Sequence, residues 1–209
     1  MTRIRWIEPD QATGRIAELY DRLRPDGPGG PVPGVALMMS LSPVVLEHLP
    51  RMIFGVHFTD QGFLTRTQHE LIACYVMALH RSHSGLSFHA HLLRARDEAY
   101  AEVARAMRDG RLGDLPAPVT EAETALLRFA GTLATRSREV TDAQVDELRR
   151  LGWTDEQIAE TVYLTGLGTF AAMMGNAWGV VPPPVLDGAD GVPRAVTEGA
   201  VEGVSPERA

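Results

Sequence analysis

Residues 64–94 read LTRTQHELIACYVMALHRSHSGLSFHAHLLR, and this stretch decides the fold. Thr65 and Gln68 have capping-box spacing, the pattern that satisfies free N–H groups where a helix starts. From Leu71 to Leu79 every residue is apolar. A helix with no polar face is buried all round. Glu70 stands at its mouth, on one line with Cys74 and Met77 at helical spacing. Burial disfavours the charged form of a carboxylate, which suits it to hold or move a proton near neutral pH. A first-turn glutamate is also favoured by the helix dipole alone, so the position has a purely structural use as well. The chain then turns through His80, Arg81, Ser82, His83, Ser84 and Gly85, and a second helix is expected to run from there to about Arg108. On it Leu86, His89 and Leu93 share an inward line, whereas Ser87, His91, Arg94 and Glu98 share an outward one. A helical hairpin with this pattern sets His89 against Glu70.

The remaining chain repeats the helical signature. A helix is expected from about Gln11 to Leu23, then a Pro/Gly loop through residues 25–34, then a helix capped by Ser42-Pro43 that kinks or breaks at Pro50. Three further capping boxes follow, at Thr120/Glu123, Thr141/Gln144 and Thr154/Gln157. The last helix, about 154–178, is apolar on most faces, a pattern suited to packing against another subunit. No period-two pattern survives anywhere, so the expected fold is all-α with about seven helices. Residues 1–182 form the helical domain, and 183–209 form a Pro/Gly-rich tail.

Composition narrows the partners. The 209 residues carry a net charge of −7, which argues against nucleic acid or an anionic membrane. One cysteine leaves no intrachain disulfide framework and fits a reducing compartment. The N-terminus has no apolar core of a signal peptide, and no run of ~18 apolar residues occurs, so a cytoplasmic location is expected.

The hairpin resembles the alkylhydroperoxidase D-like / carboxymuconolactone decarboxylase-like family. In redox members of that family a glutamate precedes a Cys-x-x-Cys by twelve residues, and a histidine follows the second cysteine by four. Laid on this chain without gaps, Glu70 takes the glutamate position and His89 the histidine position, and His83 matches a second histidine of some members. The cysteine positions fall on Ser82 and Gly85. Setting Ser84 and Ser87 on them instead would turn the key histidine, then His91, to solvent. The resemblance implies a helical domain that forms dimers, trimers or hexamers. A serine and a glycine cannot carry thiol peroxidase chemistry, which needs a thiolate and a resolving thiol.

Three uses of the site follow from the residues. The first is cofactor-free acid/base catalysis by Glu70, His89 and His83 on a small organic substrate, as a lyase, isomerase or cyclase, with Ser82 and Arg81 holding the substrate. The second is a Zn or Fe centre, of which Glu70, His83 and His89 would be the ligands, with His57, His69 and His80 as further donors of the right type. The third is a non-catalytic binding protein. The first is favoured, since an acid and an inward histidine are both present.

Overall fold

A computed structural model describes residues 2–24, 27, 29–59 and 61–181. The tail 183–209 and part of the 25–34 loop therefore lie outside the described residues. Those described are all-α, with nine α-helices, two 3₁₀ turns and no strand. None of these helices is long and apolar enough to cross a membrane.

The chain divides into two compact units. The first comprises the described residues of Met1–Thr59 together with Ala177–Gly179. It contains α1 (Gly14–Leu23), α2 (Gly34–Met39) and α3 (Pro43–His57), with α1 and α2 both packed on α3. The apolar stripe Ile16, Leu19 and Tyr20 is buried on α1. Ser40 Oγ accepts the Ile7 N–H at 2.8 Å and Tyr20 Oη donates to the Ile7 carbonyl at 2.7 Å, which pins the N-terminal arm. The proline expected to kink or break α3 does not interrupt it: Pro50 is buried inside one continuous helix. Ser42 caps that helix as read, its hydroxyl accepting the Val45 N–H.

The second unit, the described residues of Asp60–Asn176 with Val180 and Val181, holds the hairpin. Its helices are α4 (Arg66–Leu79), α5 (His83–Arg96), α6 (Ala101–Arg108), α7 (Glu121–Arg136), α8 (Asp142–Arg150) and, up to Asn176, α9 (Asp155–Trp178). Helix α4 is the centre of this unit. All nine residues from His69 to Met77 are buried, and α5, α6 and α7 pack around it. Helix α9 runs alongside as well, because a Cβ on Gly168 would meet Val76 at 3.2 Å and Asn176 Nδ2 donates to the His80 carbonyl at 2.8 Å.

The capping boxes at Thr65, Thr120 and Thr141 are formed on both sides, and Thr154 and Gln157 exchange the same two bonds. Two differences account for the rise from seven helices to nine. Helix α2 condenses out of the stretch following the Pro/Gly loop. The second hairpin helix stops at Arg96 rather than near Arg108, because Asp97 adopts an extended backbone and its carboxylate accepts the Ala99 N–H at 2.8 Å. An aspartate that captures a nearby backbone N–H starts a new helical turn instead of prolonging the old one.

Candidate functional site

The hairpin brings Glu70 and His89 together. His89 Nδ1 lies 2.8 Å from Glu70 Oε2, with the carboxylate side chain wholly buried and the imidazole 13% exposed. With Glu70 ionised, Nδ1 is the donor in this bond, since a carboxylate only accepts. The second carboxylate oxygen, Oε1, accepts from Arg66 Nη2 at 2.8 Å, and the arginine side chain is itself buried at 8% exposure.

Arg66 is the site residue that the reading of the sequence missed. It stands four residues before Glu70, so the spacing was legible. An arginine in the first turn, preceding its glutamate, runs against the helix dipole and against the favourable order of such pairs. That unfavourable placement was the available signal. Its effect on the chemistry is large: a guanidinium in contact favours the ionised carboxylate, against the desolvation that was expected to govern Glu70. The arrangement is therefore an anchored carboxylate, bound on one oxygen by a cation and on the other by an imidazole.

The sulfur chemistry around the pair is closed off. Cys74, one turn along α4 from Glu70, is fully buried, and desolvation together with the Glu70 charge pushes its thiol well above the ordinary value of 9.0. It stays a protonated, unreactive thiol. Gly85 lies one turn before His89 on α5. A Cβ there would fall inside the thioether of Met77, so the methionine sulfur fills the space that a side chain at 85 would need.

The other candidates have the following surroundings. His83 is exposed at the first position of α5. Six residues of helix carry it about 9 Å along and about 120° around from His89, so the structure does not bring it to the pair. Arg81 is exposed with a positive φ of 52°, and Ser82 is buried beside Gly175, where a Cβ would meet the Ser82 hydroxyl at 3.3 Å. Arg81 occupies the left-handed position of a helix-ending motif: Ser82 N–H bonds the Met77 carbonyl at 2.9 Å and Arg81 N–H bonds Ala78 at 3.0 Å. The same motif ends α6 and α8, where that position is Gly110 (φ 76°) and Gly152 (φ 94°). His57 is buried at the end of α3 in the first unit, edge-on to Phe58 with ring centroids 4.7 Å apart. His69 is fully buried and bound to Glu160, a pairing not foreseen from the sequence.

Comparison with known proteins places this architecture. No family model matches the chain, and no curated protein does. Among solved structures, it is similar to an alkylhydroperoxidase AhpD core, an uncharacterized peroxidase-related protein from Ralstonia eutropha JMP134. That match has a TM-score of 0.74 at 23% identity and covers 88% of this chain and 94% of the other. A second uncharacterized peroxidase-related protein, from Silicibacter sp. TM1040, matches with a TM-score of 0.72 at 18% identity over 87% and 92% of the two chains. The chain has the AhpD-like fold, on a sequence with a single cysteine. This is the fold that the hairpin resemblance implied.

Proposed function

We propose that this chain is an acid/base enzyme built on the AhpD-like fold, acting on a small organic substrate as a lyase, isomerase or cyclase. One observation carries the reading: a buried carboxylate holds His89 by Nδ1 at 2.8 Å while a buried arginine holds the carboxylate at 2.8 Å. Glu70 fixes the tautomer and orientation of the ring and stabilises the imidazolium that forms when Nε2 takes a proton from substrate. His89 later returns that proton to the developing carbanion or enol. Arg66 keeps Glu70 from taking the proton itself. Thiol peroxidase turnover is not part of this reading, since Cys74 is buried as a thiol and positions 82 and 85 are serine and glycine. Arg81 and Ser82 remain the proposed substrate holders at the hairpin turn, with the exposed His83 beside them as a second acid/base group.

The test uses a panel of small β-keto acids, enols and unsaturated lactones, monitored for decarboxylation, isomerisation and solvent deuterium uptake. Glu70→Gln and His89→Ala are expected to abolish turnover, with helical content retained, whereas His91→Ala keeps it. Full activity in all three variants on a turned-over substrate would move the site elsewhere. Saturable binding of panel compounds without turnover would make the chain a binding protein.

We also propose that copies of the chain associate through α9. Val162, Tyr163, Phe170 and Met173 are exposed along it, 38–62% each, an apolar stripe at helical spacing. Sedimentation as a monomer at micromolar concentration would remove this part of the reading.

A further inference from the structure

Helix α4 carries a second buried pair, which the chemistry above does not use. Glu160, from the first two turns of α9, is 7% exposed. Its Oε1 lies 3.0 Å from His69 Nε2, and its Oε2 accepts the backbone N–H groups of Phe63 at 2.6 Å and Leu64 at 2.9 Å. One turn earlier, Gln157 Nε2 donates to the Phe63 carbonyl at 3.2 Å. Gly62 completes the joint: a Cβ there would overlap the Glu160 carboxylate, so a side chain at 62 would have to displace it. The segment leading into the Thr65 cap is thereby tied to α9 by one carboxylate with three donors.

His69 and Glu70 are consecutive, so they project about 100° apart from one helix. One meets α9 and the other meets α5. A bond from His69 to a fixed carboxylate therefore sets the rotation of α4 about its axis, and that rotation aims Glu70. A turn of ~10° displaces a side-chain tip lying ~6 Å from the axis by about 1 Å, enough to break a 2.8 Å contact with His89.

We infer that Glu160 and His69 are positioning residues for the Glu70–His89 pair. The inference rests on the proposed function for its importance to turnover, but the coupling between the two pairs is measurable without substrate. The experiment is long-range ¹H–¹⁵N NMR of the histidine rings in the full chain, with His89 assigned from the His89→Gln spectrum. Glu160→Gln is expected to displace the His89 ring nitrogen signals and reduce the share of its Nδ1–H tautomer. Glu98→Gln, which removes an exposed ion pair to Arg94 on the helix that carries His89, is expected to leave them unchanged. His69→Ala retains the two backbone bonds to Glu160 and gives the same readout if Glu160→Gln fails to fold. His69→Gln restores a donor towards Glu160 and should recover the original His89 signals. A lower melting temperature with His89 signals superimposable on those of the unchanged protein would overturn the inference. Displaced signals, combined with full turnover in Glu70→Gln, would keep the coupling and sink the catalytic reading instead.

Discussion

The two carboxylate–histidine pairs on α4 involve neighbouring residues but are built differently. Glu160 is bound by two main-chain N–H groups and a fully buried imidazole. Main-chain donors ahead of a capped helix are fixed by the fold, so this carboxylate has one geometry in which every bond is made. Glu70 is held by the side chains of Arg66 and His89, and this histidine retains 13% exposure. Side-chain donors on rotatable stems allow a proton to move and the pair to readjust. The difference separates a joint from a working pair, although both read as buried acid against histidine.

The largest effect is expected from removing the joint. Glu160→Ala leaves two N–H groups and His69 without their acceptor in the interior, and should cost about 3–5 kcal/mol in urea or thermal unfolding. Glu70→Gln retains hydrogen-bonding shape and should cost less; equal losses would erase the distinction drawn between the two pairs. Next comes the space beside His89. Gly85→Cys has to displace Met77 within a packed core, a cost of about 1–3 kcal/mol, and Met77→Ala in the same chain should recover part of it. Additive losses in the double variant would show that Met77 is not what excludes a side chain there.

A smaller effect concerns Cys74 beside Glu70. Its folded pKa is raised, so the unfolded state releases the thiol proton first as pH rises through the ordinary 9.0. Stability from this group is fully present below that value and declines above it. The alkaline decline measured by denaturation should shrink in Cys74→Ala; an unchanged slope would place the titrating group elsewhere. The smallest is Arg81→Gly, which removes the cost of a left-handed arginine and should stabilise by about 1 kcal/mol. The same variant should lose substrate binding if Arg81 holds the substrate as proposed; unchanged binding would leave the residue to the turn alone.

The sequence determined what depends on bonds and faces within a few residues of one another. The capping boxes at Thr65, Thr120, Thr141 and Thr154, the apolar run after Glu70 and the absence of any strand period were enough for an all-α fold. The inward setting of His89 against Glu70 followed from two helical periods and one turn. Only the tertiary structure decided the rest. Asp97 ended α5 because its side chain found a backbone partner, a competition between local bonds that spacing alone does not settle. Pro50 stayed inside a continuous α3, where a kink or break was expected. Glu160 reached His69 across 91 residues, and no local pattern encodes a contact of that range. Arg66 had the spacing to meet Glu70, but only the burial of its side chain turned a surface-type pair into a strong one, because screening by water is lost when both partners leave it.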